Sequence, residues 1–258
     1  MISMKDEFSL EAEFYDKIWG RYDYDADVKF LEGLFRDYGC ESVVDIGCGT
    51  GNHAIRLSRS GFKVTGLDIS SAMLKIAKEK DQEAKIEFIQ GDMRKIENLI
   101  PKGQKFDAAI CLGTTFSHLI TNRDVQAFLI GLHKMLRKNG LFIFNARNAR
   151  KIDEERLNKL ILDHMIIREK LQLLLLFYNT RHTGNRNVIV WRPIYLIKKS
   201  GKVDLQIREH KLRWFQFSRL KRMSIENGFE VAATYSRPTK EEFKEDKHTE
   251  MWFVTIIK

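Results

Sequence analysis

The sequence contains few cysteines and prolines, and no apolar run in it is long enough to cross a membrane. The three cysteines, Cys40, Cys48 and Cys111, are an odd number without metal-ligand spacing, so we expect neither a disulfide framework nor a zinc site. The longest apolar stretch, 173–178, is far too short for a bilayer. Residues 1–14 lack the basic flank and apolar core of a signal peptide. These absences favour a soluble protein of the reducing cytoplasm.

The composition is that of a globular protein with an excess of basic residues. Of the 258 residues, 43% are hydrophobic, which is enough for one α/β domain with an added segment. The formal net charge of +9 makes an anionic partner such as nucleic acid a candidate. Much of the excess is scattered through the C-terminal half rather than gathered in one dense block. A basic solvated surface is the simpler interpretation, so we do not expect a nucleic acid partner.

Residues 41–147 alternate short apolar runs with segments of helical periodicity, the pattern of repeated β-α units around a parallel sheet. Predicted strands lie at 42–46, 62–67, 85–89, 106–112 and 141–145. The clearest predicted helix is 123–136, in which apolar residues repeat at helical spacing and which Asn139-Gly140 is expected to end. This part of the chain therefore predicts an α/β fold.

After residue 151 the periodicity changes to extended segments separated by turn signals. Strands predicted at 171–178, 188–197 and 203–214 form an antiparallel meander, in which Pro193 favours an edge position or a bulge. A helix at 217–227 and strands at 229–235 and 249–257 then resume the α/β pattern. The predicted organisation is an N-terminal helical segment (1–40), an α/β domain (41–150 and 215–258) and an inserted β subdomain (151–214).

A glycine-rich turn follows the first predicted strand. The chain reads Asp45-Ile46-Gly47-Cys48-Gly49-Thr50-Gly51 and continues into a helix. Glycines let a ligand approach the backbone, and the unpaired N–H groups of the helix start suit a polar or anionic ligand group. The spacing is tighter than the dinucleotide fingerprint G-x-G-x-x-G, which argues against NAD.

Two further acidic residues follow the next strands. Asp68 ends the second strand, where a carboxylate can accept the hydroxyl protons of a ribose. Asp92 and Met93 follow the third strand, where they suit an adenine amino group and an adenine ring. Each has a purely structural interpretation, such as a helix cap for Asp68. Because all three segments meet at the carboxyl edge of one sheet, they predict a nucleoside cofactor.

These segments resemble the motif series of class I S-adenosylmethionine-dependent methyltransferases. The resemblance implies a Rossmann-like, seven-stranded, mostly parallel sheet whose last strand, here 249–257, is antiparallel. It implies S-adenosylmethionine as cofactor, S-adenosylhomocysteine as product, and the aromatic N-terminal segment as a lid, with the inserted subdomain over the active site. The cofactor-binding residues expected on this basis are Tyr15, Tyr22, Asp45, Gly47, Cys48, Gly49, Asp68, Ile69, Met73, Asp92, Met93 and Leu112.

The segments after strands four and five resemble glycine N-methyltransferases and related enzymes that methylate small amines, including amino sugars. In the glycine enzymes an arginine at the position of Arg147 grips the substrate carboxylate, and Thr114 stands where they have asparagine. Arg147 and Thr114 are therefore the expected substrate-binding residues; a surface ion pair of Arg147 with Asp153 or Glu154 is the alternative. His118 is the candidate base, against a structural role for a lone histidine.

The sequence thus predicts a methyltransferase that acts on a small molecule at an amine nitrogen. RNA or protein methylation, methylation at oxygen and a cofactor-binding module without catalysis remain as alternatives. Strand four lacks the Asn/Asp-Pro-Pro-aromatic motif of base methylation. The sequence also leaves a homodimer open.

Overall fold

The computed structural model describes residues 8–168 and 171–258, and its strands form two sheets. Residues 1–7 of the predicted N-terminal segment lie outside the described residues. None of the helices in the described part of the chain is long and apolar enough to span a membrane. The described α-helices are α1 (Ser9–Trp19), α2 (Tyr24–Asp37), α3 (Asn52–Arg59), α4 (Ser71–Lys80), α5 (Asn122–Met135) and α6 (Phe217–Glu226).

The first sheet has seven strands in the order β11-β12-β5-β4-β1-β2-β3. Only β12 runs antiparallel to its neighbours, β5 and β11. The predicted α/β fold with a mostly parallel seven-stranded sheet is confirmed. The strands are β1 (Ser42–Ile46), β2 (Lys63–Asp68), β3 (Glu87–Gln90), β4 (Phe106–Cys111), β5 (Leu136–Arg147), β11 (Phe229–Tyr235) and β12 (Glu250–Ile257).

Helices cover both faces of this sheet, which is why its strands read as nearly continuous apolar runs. Val44 and Ile46 of β1 belong to the core on one face, and Val43 belongs to the core on the other. The strand order reverses between β1 and β4. At such a reversal the crossover connections leave in opposite directions, so a crevice opens at the carboxyl ends of the strands.

One boundary differs from the prediction. Asn139 and Gly140 do not end α5; the helix stops at Met135 and the two residues lie inside β5. Asn139 adopts a left-handed φ of 59°, and the pairing with β4 shifts register between Phe106 and Ala108. The Asn139-Gly140 pair, which predicted a helix end, therefore lies at an irregularity within β5.

The second sheet is antiparallel, with β10-β8-β7-β6 in order and β9 also paired to β8. Its strands are β6 (Leu160–Arg168), β7 (Leu171–His182), β8 (Asn185–Lys199), β9 (Lys202–Ile207) and β10 (His210–Arg213). The meander contains two more strands than predicted, because 203–214 is split in two and β6 was not recognised. The predicted boundaries of three chain regions remain a prediction.

Pro193 occupies neither an edge strand nor a bulge, contrary to the prediction. It pairs with Phe177 inside β8, and its carbonyl accepts a hydrogen bond from the N–H of Arg208 at 3.0 Å. In an antiparallel strand the N–H and C=O of one residue face the same neighbour. The missing N–H of Pro193 thus faces the junction between β9 and β10, where no ladder bond is required.

Candidate functional site

The glycine-rich turn closes tightly between β1 and α3. Gly47, Gly49 and Gly51 adopt φ values of 72°, 53° and 78°, a region that residues with a Cβ enter at a cost. The N–H groups of Gly47 and Cys48 both donate to the carbonyl of Leu67, at 2.7 and 3.0 Å. The turn is therefore tied to the end of β2, and its Cys48 is buried.

Asp68 joins this turn to the start of α4. One carboxylate oxygen accepts from the N–H of Gly49 and the other from the N–H of Ser70, both at 2.8 Å. Burial raises the pKa of Asp68, although the backbone donors oppose the rise. Each oxygen retains a second lone pair, so the side chain can hold the turn and still accept a ligand hydroxyl. Ile69 follows it, and the buried Met73 lies in the first turn of α4, where its N–H donates to the Ser70 hydroxyl.

Asp45 is a buried carboxylate with an unsatisfied oxygen. It is 2% exposed, and its Oδ2 has no hydrogen-bond partner among the described residues. Burial raises its pKa to about 6, while the charge of nearby His53 acts in the opposite direction. Such an atom costs free energy unless a donor or a cation reaches it. Together with the open space beside Gly49, it fits a cationic group bound at the glycine-rich turn.

Helix α1 is fastened over the glycine-rich turn by Asp16. The carboxylate accepts from the Thr50 hydroxyl at 2.7 Å and from the Asn52 amide at 2.9 Å, and it pairs with Lys80 of α4 at 2.9 Å. These bonds hold the pKa of Asp16 below its usual range although burial opposes them. Sequence reasoning missed this contact, because one acid on an amphipathic helix carries no signal of its partner.

The two predicted tyrosines differ in their surroundings. Tyr15 on α1 forms a hydrogen bond with Tyr24. Its pKa is raised mainly by burial and also by the negative charge of nearby Asp68. Tyr22 donates to the carboxylate of Asp27 at 3.0 Å, and Asp27 also pairs with His53 at 2.9 Å. Tyr15 thus faces the predicted ribose site, whereas Tyr22 belongs to a polar cluster that reaches Asp45 through His53.

Asp92 pairs with a neighbouring arginine. Both of its oxygens bond to the guanidinium of Arg94, with two contacts from Nε at 3.0 and 2.9 Å. Although burial opposes it, this pairing keeps the pKa of Asp92 below its usual range. The half-buried Met93 packs against the core. Their role toward adenine remains a prediction, and Arg94 is a neighbour that spacing alone did not indicate.

The segment after β4 crosses the glycine-rich turn. The carbonyl of Leu112 accepts from the N–H of Thr115 at 3.3 Å, and Thr114 adopts a left-handed φ of 74°. Thr115 packs so closely on Gly47 that an added Cβ there would lie 2.2 Å from Thr115 Cγ2. Thr115 therefore lies against the turn, and the predicted residues Leu112 and Thr114 belong to the same segment.

Arg147 ends β5 and lies opposite Glu250 of β12. Burial raises the pKa of Glu250, and the charge of Arg147 opposes the rise. Within residues 8–168 and 171–258, no carboxylate lies at ion-pair distance from Arg147. Asp153 caps the following 3₁₀ turn and Glu154 pairs with Arg181, so the alternative surface pair is not formed.

His118 lies between α1 and the second sheet. Its ring is 5.7 Å from that of Phe8 and 6.4 Å from that of His210, and His210 pairs with Glu11 of α1 at 3.1 Å. Burial and then the nearby His210 lower the pKa of His118 to about 4. The side chain is therefore neutral at physiological pH and is a weak proton acceptor there.

Comparisons with known proteins agree with this geometry. Residues 43–140 match the family described as methyltransferase domain. Residues 43–140 therefore form an S-adenosylmethionine-dependent methyltransferase domain. The chain is 32% identical to a glycine/sarcosine N-methyltransferase of Parasynechococcus marenigrum over 59% of this chain and 57% of that one. The chain spans about half the length of the curated relatives it matches.

The fold of this methyltransferase domain and its second sheet recurs in solved structures. A S-adenosylmethionine-dependent methyltransferase from Clostridium acetobutylicum has a TM-score of 0.81 at 16% identity, covering 97% of this chain and 98% of that one. The sugar N-methyltransferase KedS8 from Streptoalloteichus has a TM-score of 0.75 at 19% identity, covering 93% and 92%. At such identities the likeness establishes the fold.

The low pKa of His118 predicts a pH-dependent stability for the methyltransferase domain. The unfolded chain binds a proton near pH 6.5 and the folded chain only near pH 4, so stability should fall by about 3 kcal/mol as pH drops through this window. In His118→Asn this contribution is absent. The free energy of unfolding is measured with urea at pH 7 and at pH 4.5. At pH 4.5 the value for the variant should be closer to that of the wild type than at pH 7, or should exceed it. If the stabilities of the two proteins change with pH in the same way, the lowered pKa of His118 is contradicted.

Proposed function

We propose that this chain transfers the methyl group of S-adenosylmethionine to an amine nitrogen of a small molecule. The observation that supports a small acceptor is the position of α1. It is bonded through Asp16 to the glycine-rich turn, and its other side packs through Phe14 and Ile18 on the second sheet. An acceptor must then enter a covered space, which disfavours a long RNA or a folded protein.

The cofactor would be held by the residues around the glycine-rich turn. Asp45 offers its unsatisfied oxygen to the cationic end, the Gly47–Gly49 backbone allows close approach, and Asp68 has lone pairs for ribose hydroxyls. When bound, the cofactor supplies a methyl group already activated by its positive sulfur. The protein must align the acceptor with it and exclude water. Helix α1, with Tyr15 near Asp68, is suited to that exclusion.

An amine is favoured over a hydroxyl because the site has no strong base at His118. A neutral amine already carries the lone pair that attacks, whereas a hydroxyl needs its proton removed as it reacts. His118, with a pKa of about 4, holds a proton poorly at neutral pH. The name of the glycine/sarcosine N-methyltransferase and that of the sugar N-methyltransferase point to the same acceptor atom.

The proposal is tested by methyl transfer from labelled S-adenosylmethionine to a panel of small amines and amino acids, the matching hydroxy compounds, bulk RNA and a protein extract. We expect label in at least one small amine and none in its hydroxy counterpart. Selective labelling of RNA or of a protein at physiological salt would overturn the small-molecule assignment. Failure to bind the cofactor in calorimetry would overturn the methyltransferase assignment itself.

Arg147→Lys should impair methyl transfer to an acceptor that carries a carboxylate. A lysine retains the charge but cannot form the two parallel bonds of a guanidinium, so we expect roughly a tenfold higher Michaelis constant or lower turnover. Cofactor affinity should hardly change. Arg150→Lys is the matched control, since Arg150 is a nearby arginine that pairs with Asp246 on the surface and should give normal kinetics. Normal kinetics in Arg147→Lys as well would exclude the clamp.

A further inference from the structure

A carboxylate for which the proposed function has no use lies beside the end of β5. Glu250 begins β12 and stands directly opposite Arg147, the last residue of β5. Directly opposite residues of an antiparallel pair point to the same face of the sheet. Even so, Arg147 forms no ion pair with Glu250 or with another carboxylate in the described part of the chain. Two opposite charges therefore lie side by side without being joined.

Two neighbouring side chains fix the position of the Glu250 carboxylate. The Asn145 amide donates from Nδ2 to Oε1 at 2.8 Å, and the Trp252 ring donates from Nε1 to Oε2 at 3.2 Å. Asn145 lies opposite Trp252 in the strand pair, and both residues are buried. Each carboxylate oxygen accepts one of these bonds and retains a second lone pair. Glu250 is therefore held in one orientation and can still accept a bond from a ligand.

Asn145 also has a buried oxygen that lacks a donor. The residue is 4% exposed, and its Oδ1 accepts no hydrogen bond from any of the described residues. An ionised carboxylate only accepts, so the amide nitrogen has to face Glu250 and the amide oxygen has to face away from it. A buried acceptor costs free energy until a donor reaches it. Asn145 Oδ1 and the Glu250 carboxylate are therefore neighbouring acceptors that suit a group with several N–H bonds.

The surroundings of Glu250 favour a cationic donor. Burial raises the pKa of Glu250, and the negative charge of Asp27 on α2 adds to the rise, whereas the charge of Arg147 opposes it. A buried carboxylate beside a second carboxylate is costly unless a positive charge comes close. A bound cation would offset both the burial and the repulsion.

The Glu250–Asn145 pair lies at the same edge and on the same face of the sheet as the glycine-rich turn. Val43 and Ile143 belong to one core, so Asp45 and Asn145, two positions further along their strands, face that side as well. Only β4 lies between β1 and β5, which puts these two side chains about 10 Å apart. A small amine beside a methyl donor can span such a distance.

We propose that Glu250 and Asn145 bind the amino group of the methyl acceptor and thereby select an amine over a hydroxyl. This inference rests on the proposed function, in which the acceptor atom is an amine nitrogen. An ammonium has enough N–H donors for Asn145 Oδ1 and a Glu250 oxygen together, whereas a hydroxyl has one O–H donor. Its positive charge also offsets that of the carboxylate. Arg147 then remains available for an anionic group of the same acceptor.

Glu250 is also placed to take the proton that a bound ammonium must lose. The N–H bond breaks, its electron pair stays on nitrogen for the attack, and an O–H bond forms on the Glu250 carboxylate. The carboxyl group returns this proton to solvent after the methylated amine has left. A raised pKa suits the carboxylate to this transfer.

The site is tested by titrating the full chain, saturated with S-adenosylhomocysteine, with n-propylamine and with 1-propanol as its neutral counterpart. Nuclear magnetic resonance follows the side-chain amide signals of the isotope-labelled chain, and Asn145→Ser identifies those of Asn145. We expect the amine to shift these signals with a Kd in the millimolar range, as so small a ligand allows. Propanol should leave them unchanged.

Glu250→Gln should weaken propylamine binding at least about tenfold, because it removes the charge from a charge-assisted bond. The new amide can still bond to both Trp252 and Asn145 once the Asn145 amide turns over, so the fold and the affinity for S-adenosylhomocysteine should be retained. Glu230→Gln is the matched control. Glu230 lies on β11, pairs with Lys258 at 3.6 Å and should be replaceable without an effect on amine binding.

The pH profile of amine binding separates a binding role of Glu250 from a structural one. The titratable groups that face Glu250 are Arg147 on β5, Asp27 on α2 and Tyr22 just before α2, and Asp27 also pairs with His53. Since a protonated carboxyl group has no charge, the wild type should lose the amine as the pH falls through the raised pKa of Glu250. Glu250→Gln should not show this loss.

Three results would overturn the proposed amine site. The first is a wild type that binds propylamine no better than propanol. The second is a Glu250→Gln variant that binds the amine as tightly as the wild type, including one that has only lost stability to urea. The third is a normal Michaelis constant of Glu250→Gln for an amine that the chain methylates, which would leave the proposed function intact. If the chain instead methylates RNA or a hydroxy compound, the proposed function fails, and the propylamine titration still decides whether Glu250 and Asn145 bind an amine.

Discussion

Asp68→Ala is expected to weaken S-adenosylmethionine binding by about 2–3 kcal/mol, or roughly 30- to 150-fold. The substitution removes the proposed acceptor for the ribose hydroxyls. It also releases the N–H groups of Gly49 and Ser70, which the carboxylate holds at 2.8 Å. The glycine-rich turn and the start of α4 then lose the group that joins them. Isothermal calorimetry with the cofactor and with its demethylated product measures the loss.

Asp81→Ala serves as the control for Asp68→Ala. Asp81 follows the other end of α4 and also accepts a backbone bond, from the N–H of Ile86 at 2.9 Å. Its loss should lower stability slightly and leave cofactor affinity unchanged. If Asp68→Ala folds normally and binds the cofactor as tightly as the wild type, the ribose assignment is wrong.

Gly47→Ala is expected to destabilise the protein by about 3 kcal/mol or more, and to abolish cofactor binding in whatever fraction still folds. Two effects add here. Gly47 has a φ of 72°, and its new Cβ would lie 2.2 Å from Thr115 Cγ2 and 2.6 Å from Thr115 Oγ1. Relief would require the segment after β4 to move away from the turn. Urea unfolding measures the change.

Two variants separate the clash at Gly47 from the backbone strain. Gly61→Ala carries only the strain, because Gly61 has a φ of 96° and no atom within 4 Å of the added Cβ; about 1 kcal/mol is expected. Adding Thr115→Ala to Gly47→Ala removes the two closest atoms and should recover part of the stability. If Gly47→Ala costs no more than Gly61→Ala, the close packing on Thr115 is not present in solution.

The strands of the first sheet could be located from the sequence because most of them are buried apolar runs bounded by turn residues. The second sheet was harder. In β6 the register shifts between Leu162 and His164, which interrupts the alternation by which a strand is recognised. The 203–214 segment was predicted as one strand because nothing local marks its break, which arises where Arg208 bonds to Pro193 on another strand.

The site was predicted unevenly for a similar reason. Gly47, Gly49 and Asp68 could be predicted because residues of these types stand directly after buried strands. In the structure they lie together. Asp16, Arg94 and Glu250 are single charges on a helix, a turn and a strand end. Some of their partners lie far away in the sequence, and others are reached only because the side chain points toward them. Periodicity and spacing therefore do not predict these contacts.

The sequence by itself determined the fold class and the location of the glycine-rich turn. Both depend on short-range patterns: apolar runs that must be buried, and glycines where the backbone takes a left-handed turn. Only the tertiary structure decided what lies against that turn. Asp16 and Thr50 are 34 positions apart, and Thr115 lies 68 positions from Gly47. Such contacts follow from how helices and sheets pack, because packing joins surfaces whose neighbours the local sequence does not specify.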